Sequence, residues 1–457
     1  MHSRIVNFLD SNNSLYDMQY GFRSGRSCEQ ALLKAQHILL ESLSKKQISL
    51  LLLIDFSKAF DMVEHPILLR KLEHYGIRGP ALKWMTSYLK NRSQFVSVSG
   101  VNSSSKHMQY GVPQGSILGP LLFIIYINDL PNISNEAKFI LYADDANIII
   151  NGTNITDIMQ QLNTLCNILP KWVISNGLAL NLKKTKYMLF SRRNIELPDE
   201  LKILNTKIDC VKEARFLGVI VDEKLNWSAH IKTLKSKMSR YIGIMCKIKK
   251  LLPIQAKIQI FQSLIQSHIN YCSIIWGFTA KSNIESLFRI QKKGIRAIVP
   301  GFINYKYRDG KLPGHTKPYF NEYKILAVHG VIVANALLFI HKIRYIPSLL
   351  PKSIRQVIAD DAPVPGSTYE TSNSWLNLYG DNAYRKSVFF KGPLLTINPD
   401  FIDIIYPKIL VDIKITKRKL KSAMFKIQSW GEREEWTPKN FALNSIPGLR
   451  SSARLNK

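Results

Sequence analysis

Residues 139–150 read FILYADDANIII. Two adjacent carboxylates, Asp144 and Asp145, interrupt an otherwise apolar run. Burying one carboxylate without a partner is costly, and burying two neighbours costs more. The run therefore predicts two apolar strands joined at the acidic pair, with the pair held at the end of a sheet. A solvent-exposed Asp-Asp turn satisfies the same pattern. So does a bound cation, and Mg²⁺ suits hard oxygen ligands, commonly taking one or two carboxylates together with substrate phosphates. A second apolar run, ISLLLLIDFSKAFD, places Asp55 at its end. If the two runs are neighbouring strands, Asp55 meets Asp144. Carboxylates grouped in this way suit two divalent ions about 3.5–4 Å apart, an arrangement used for in-line phosphoryl transfer.

Charge narrows the choice of partner. Lys and Arg together number 63 against 33 Asp and Glu, a net charge of +30. Nucleic acid is the commonest partner of so basic a chain; an anionic membrane surface and a basic protein without a special partner are the rivals. Cys28, Cys166, Cys210, Cys246 and Cys272 are scattered, with no pair at metal-ligand spacing, which fits a reduced intracellular compartment. The N-terminal MHSRIVNFLDSNN has no apolar signal core. LAVHGVIVANALLFI (326–340) is short of the roughly 18–20 residues needed to span a bilayer and predicts a buried helix. No membrane partner is expected.

The composition, 46% hydrophobic, supports a substantial core. CEQALLKAQHILLESLSKK (28–46) has helical spacing, and EHPILLRKLEHYG carries Pro66 at a helix start and Gly76 at a stop. QFVSVSG and SSSKHMQYGVPQG predict short strands and turns. SILGPLLFIIYINDLP predicts a buried helix, TDIMQQLNTLCNILPKWVISNG (156–177) an amphipathic one, and LALNLKKTKYMLFS and ARFLGVIVD strands. Together these give an α+β sheet with helices on one face. From about residue 228 the chain turns helical. Ile231, Leu234, Met238, Ile242, Met245 and Ile248 share one face, and lysines from Lys232 to Lys250 largely fill the others. PIQAKIQIFQSLIQSHINYC predicts a further helix, and the Gly/Pro-rich stretch 307–321 a domain boundary.

Five segments carry a resemblance. IDFSKAFDMVEH, GVPQGSILGPLLFIIYINDL, FILYADDANIII, NGLALNLKKTKYMLF and ARFLGVIVDEKLNW occur in this order. They resemble the consecutive reverse-transcriptase motifs of non-LTR (LINE-type) retrotransposons, the jockey-like group in particular. QYGFRSGRSCEQALL resembles that family's fingers motif, and the likeness runs from about residue 5 to 290. It implies a right-hand polymerase with partial fingers (1–50), a palm with an antiparallel sheet and embedded fingers elements (51–227), a helical thumb (228–306) and a mostly helical C-terminal region (307–457). The implied activity is RNA-directed DNA polymerisation from deoxynucleoside triphosphates (dNTPs) onto a primer 3′-hydroxyl, with two Mg²⁺ ions (or Mn²⁺). A truncated copy that binds nucleic acid without catalysis is the alternative.

The resemblance also assigns residues. Asp55, Asp144 and Asp145 match the catalytic, metal-binding aspartates, with Tyr142 beside them in the substrate set. Phe60 matches the aromatic steric gate against a 2′-hydroxyl, core packing being its other reading. Gln114 and Gly115 match the loop that holds nucleotide and template. Arg23 matches the fingers arginine that grips the triphosphate, and Arg26 is a second candidate. Lys184 matches a lysine that protonates pyrophosphate, with Lys183 and plain solvation as alternatives. Phe216, Leu217 and Gly218 match the primer grip. The basic helix at 232–250 would lay lysines along duplex phosphates. His65 is read as structural, and Asp61 is not counted as a ligand. The implied partners are an RNA template, a DNA primer or target and the element's own RNA as a ribonucleoprotein, in nucleus or cytoplasm. No Arg-Pro fingers strand, endonuclease or Cys-rich knuckle is matched, so Met1 reads as an internal methionine of a longer frame or the start of a degraded copy.

Overall fold

The computed structural model describes residues 1–196, 200–299 and 316–345. The described residues fall into two compact units, the first ending at Leu217 and the second beginning at Gly218.

The first unit is built on a five-stranded sheet. Its strands are β1 (Ile48–Ile54), β2 (Lys138–Tyr142), β3 (Asp145–Gly152), β4 (Lys186–Phe190) and β5 (Asp209–Cys210), in the order β5-β4-β1-β3-β2. Only the β4–β5 pair is parallel. β1 sits centrally because ISLLLLI is apolar on both faces, as a strand covered on both sides must be. Ile48, Leu50, Leu52 and Ile54 join a core with residues of α1 (His2–Ser11), α3 (His65–His74), α4 (Gly79–Leu89), α5 (Leu118–Tyr126) and α6 (Ile155–Ser175). The alternate positions Leu51, Ile140, Ile149 and Met188 are buried too, and α2 (Cys28–Ser44) packs against β1, β2 and β3. Both faces are thus covered, where helices on one face were expected.

Local signals account for the helix ends. Ser27 and Gln30 form a reciprocal capping box at the start of α2. Pro66 lies in the first turn of α3, and Gly76, at φ +92°, ends it. α5 is buried all round, so its run LGPLLFIIY needs no polar face. The predicted strand LALNLKKTKYMLFS is strand only from Lys186; residues 182–184 form a turn. Residues 93–107 form two short exposed ribbons.

The second unit begins with a strand, Val219–Asp222, which packs on α7 (Ser228–Ile248). Asp222 closes the connection: its carboxylate accepts from the backbone amides of Lys224, Asn226 and Trp227 at 2.7–3.1 Å. α7 buries Ile231, Leu234, Met238, Ile242 and Met245 and packs on α11 (Lys281–Ile298). The helix predicted over PIQAKIQIFQSLIQSHINYC is broken into α8 (Ile254–Phe261), a π-helical turn Gln262–Gln266 and α9 (Ser267–Asn270). The bulge brings buried Gln266 to Gln291, which donates to the Gln266 Oε1 at 3.0 Å and to the Leu326 carbonyl at 2.9 Å. The Val328 amide donates back to Gln291 Oε1 at 3.0 Å. α10 (Ser273–Trp276) and α12 (Val328–Tyr345) pack together, and the apolar 326–340 stretch is a buried helix as expected. Among the described residues no helix is long and apolar enough to cross a membrane. Most of the expected boundary at 307–321, and residues 346–457 of the C-terminal region, lie outside the described residues.

Candidate active site

The acidic pair sits where the sheet ends. β2 and β3 pair from Lys138↔Ile149 to Tyr142↔Asp145, so the turn between them is Ala143-Asp144. Ala143 takes a left-handed φ of +53°. β1 pairs with β3 as far as Ile54↔Ala146, which puts Asp55, one residue on, beside Asp145. From Ala146 to Ile150 β3 is buried, while both carboxylates of the pair reach solvent.

The three aspartates feel one another. Protein crowding and then the charge of Asp55 raise the pKa of Asp144 above the usual carboxylate value. Asp145 is pushed up to about 6, first by desolvation, then by Asp144 and Asp55. Lys184 approaches Asp55 Oδ2 at 3.6 Å, an exposed pair of small worth. The Lys184 turn is anchored to β1, for the Asn181 amide donates to the Asp55 carbonyl at 2.8 Å and the Lys184 amide to the Asn181 carbonyl at 3.1 Å. Oxygen donors with mutually repelling, weakly compensated charge suit hard divalent cations. Among the described residues no three His, Cys, Asp or Glu side chains form a ready-made cage.

A support not foreseen from the sequence holds the acidic turn. Residues 18–20 lie alongside β2, with the Tyr20 amide donating to the Leu141 carbonyl at 2.7 Å and the Leu141 amide to the Met18 carbonyl at 2.9 Å. Buried Gln19 accepts through Oε1 from the Gly21 amide at 2.8 Å and the Ala143 amide at 3.1 Å. Gly21 lies so close that a Cβ there would stand 2.3 Å from the Ala143 nitrogen. Periodicity gives no hint of these contacts; the one signal was the glycine of QYGFR.

The two arginines of that motif face inward. Arg23 donates to the Tyr16 carbonyl at 2.9 Å and to Asp10 Oδ1 at 3.1 Å. Arg26 donates to the carbonyl and carboxylate of Asp17 and lies over the Tyr20 ring. Both side chains are largely buried, so they brace the 16–26 segment. Tyr142 is pushed up to about 12 by its hydrogen bond to Cys28 and by desolvation.

Phe60 lies on a short 3₁₀ turn, Ala59–Met62. One face of its ring stacks on Phe123 at 4.3 Å and the ring of Phe22 meets it edge-on at 6.1 Å, yet it remains half-buried rather than enclosed. Gln114 donates through Nε2 to Asp61 Oδ1 at 2.8 Å, which gives Asp61 a partner and Gln114 a fixed orientation. Gly115 adopts φ +83° with open space where a side chain would be. His65 opens α3 and bonds the Gly111 carbonyl at 2.8 Å, matching its structural reading. Phe216 is buried, and Leu217 and Gly218, at φ +44° and +79°, make a tight turn where the two units divide.

Residues 1–221 match the reverse transcriptase (RNA-dependent DNA polymerase) family, and the sheet with its acidic strand ends lies inside that span. The match takes in just under half of the chain. Over about two-thirds of its length the chain is similar to the RNA-directed DNA polymerases of jockey-type non-LTR retrotransposons. It is 26% identical over 307 residues to the RNA-directed DNA polymerase from mobile element jockey of Drosophila funebris, which covers 65% of this chain and 33% of that protein. The jockey polymerase of Drosophila melanogaster is 27% identical over 328 residues, covering 68% and 35%. The probable RNA-directed DNA polymerase from transposon X-element of the same fly is 26% identical over 303 residues, covering 65% and 33%. The chain spans about a third of the length of these curated relatives. Apo telomerase from Candida tropicalis overlaps 72% of the chain and 53% of its own length, at 12% identity and a TM-score of 0.39, a likeness too distant to argue from.

Proposed function

We propose that this chain copies RNA into DNA, extending a primer 3′-hydroxyl with dNTPs at the Asp55–Asp144–Asp145 cluster. The observation that supports it most is the meeting of three mutually repelling carboxylates at adjoining strand ends of a reverse transcriptase domain. In this reading the five-stranded sheet is the palm of a right-hand polymerase. The segment around α2 and the ribbons at 93–107 belong to the fingers, and α7 to α11 form the thumb. Two Mg²⁺ ions held by the aspartates would lower the pKa of the attacking hydroxyl and offset charge on the departing pyrophosphate.

The chain's own residues supply the rest. Gly115 leaves backbone room for the nucleotide, and Asp61 holds the Gln114 amide ready beside it. The Phe60 ring, backed by Phe123, occupies the place where a 2′-hydroxyl would clash. Lys184, tethered through the Asn181 turn near Asp55, is the proton source for pyrophosphate. Exposed cations on α7, such as Lys232, Arg240 and Lys247, lie along duplex phosphates and give affinity that falls with salt. The partners are the element's RNA and a DNA primer, which puts the chemistry at chromosomal DNA in the nucleus.

Primer extension on poly(rA)/oligo(dT) with Mg²⁺ tests the reading. The chain should extend, and Asp144→Asn or Asp55→Asn should reduce extension to background while template binding stays within a few-fold. Extension by either variant would remove that residue from the site. Template retention without extension by the unaltered chain would replace the polymerase reading with binding alone.

A further inference from the structure

Between Glu73 and Asp129 the chain contains no acidic residue, while Arg78, Lys83, Lys90, Arg92 and Lys106 fall in the same span. A stretch so one-sided in charge is an electrostatic footprint for a polyanion. Within it, α4 carries an aromatic ladder. Trp84 and Tyr88, one helical turn apart, stack with ring centroids 5.7 Å apart and planes within 7°. The Arg92 guanidinium continues the column, 5.2 Å from the Tyr88 ring centre, and Arg92 also donates to the Tyr88 carbonyl. Packing does not use up the outer ring of the pair, for Trp84 is 43% exposed. The other side of α4 already supplies its core contacts through Met85 and Leu89. Lys83 and Lys90, both exposed, flank the column in sequence. Flat faces in register with cations beside them suit bases that are not paired, since every base has a π-face and a phosphate follows each one.

We propose that Trp84, Tyr88 and Arg92 form a stacking rail for the unpaired bases of a single nucleic-acid strand, with Lys83 and Lys90 on its phosphates. In the polymerase reading, on which the identity of that strand rests, it is template not yet copied. The rail lies in the first unit, on a helix that contributes nothing to the aspartate cluster. It distinguishes single strands from duplex because paired bases have no free faces. It ignores sequence and sugar because stacking makes no hydrogen bond to a base edge or a 2′-hydroxyl.

Fluorescence anisotropy with the full chain tests it without nucleotides or turnover. The probes are labelled oligouridylate, oligothymidylate and a blunt RNA duplex of equal length, titrated at several salt concentrations. Trp84→Ala combined with Tyr88→Ala should weaken both single strands about tenfold or more, from roughly 1–3 kcal/mol of stacking per base, and leave the duplex unchanged. The salt slope should stay the same, because no phosphate contact is removed. Trp84→Phe should bind within a few-fold of the unaltered chain, whereas Trp84→Leu, apolar but without a π-face, should fall with the alanine variant. Circular dichroism checks that each variant keeps its helices, and Trp84→Leu retains the bulk that a merely structural role would need. Unchanged single-strand affinity in the double variant overturns the proposal, as does an equal loss on duplex, a loss confined to one sugar, or full binding by Trp84→Leu. A chain that fails to extend primers yet loses single-strand affinity in this pattern would sink the polymerase reading and leave the rail standing. An extending chain with unaffected binding would do the opposite.

Discussion

Gly21→Ala should damage the catalytic turn without touching a carboxylate. The added Cβ would stand 2.3 Å from the Ala143 nitrogen, 3.0 Å from the Tyr142 carbonyl carbon and 3.1 Å from the Ala143 Cα. All three are backbone atoms, so no side chain can swing aside. Restoring ordinary contact requires the 18–22 segment or the acidic turn to move on the order of 1 Å. Overpacking of this kind costs roughly 1–3 kcal/mol. A displacement of about 1 Å at a reacting group costs roughly 10²-fold in rate. The expected result is therefore a modest drop in melting temperature together with a fall in primer extension of about two orders of magnitude. Gly243→Ala is the control: it lies inside α7, exposed, with nothing within 4 Å of the new methyl, and should stabilise by roughly 0.5–1 kcal/mol. If Gly21→Ala does not fold, Gln19→Leu makes the same test, since it removes the acceptor shared by the Gly21 and Ala143 amides. Extension by a folded Gly21→Ala within two- to threefold of the unaltered chain would refute the idea that this close approach sets the position of Asp144.

Other outcomes can be checked separately. Phe60→Ala should raise ribonucleotide incorporation in primer extension and lower stability through loss of the Phe123 stack; unchanged sugar discrimination would leave Phe60 with packing alone. His37 is held down to about 4, first by burial and then by Lys34. The unfolded chain, near 6.5, binds that proton more tightly, so stability from this group is present above about pH 6.5 and lost as pH falls toward 4. Melting curves across that window should flatten in His37→Gln. Gln291→Ala strands the Val328 amide and removes a donor from the Leu326 carbonyl, and should cost about 2–4 kcal/mol by chemical denaturation. A loss below about 0.5 kcal/mol would show the network to be dispensable.

Much of this was legible because the signals were local or strongly patterned. FILYADDANIII has apolar flanks on both sides of its carboxylates, so two strands and a turn were the readable outcome. The α7 face followed from spacing alone, and Ile248 alone of the six expected residues is only half-buried. What failed to show depended on contacts between distant backbones. Gln19 and Gly21 act through amide hydrogen bonds and a missing side chain, neither of which leaves a periodic trace. The break after Phe261 was hidden because α8, the bulge and α9 keep a continuous apolar rhythm. It takes shape from Gln291 and Leu326 far along the chain. The resemblance reads Arg23, with Arg26 as a second candidate, as a phosphate ligand; what it does not show is that each guanidinium also pairs with a carboxylate, of Asp10 and Asp17.

β1 is flanked on both sides by strands that come much later, with Ile48 opposite Gly152 and Ser49 opposite Phe190. A ribosome making this protein exposes ISLLLLI long before either neighbour has been synthesised. Until Gly152 clears the exit tunnel both edges of that segment are open, and until Phe190 follows one of them still is, a state prone to sticking to other nascent chains. Strand pairing between segments so far apart in the chain is also slow to form.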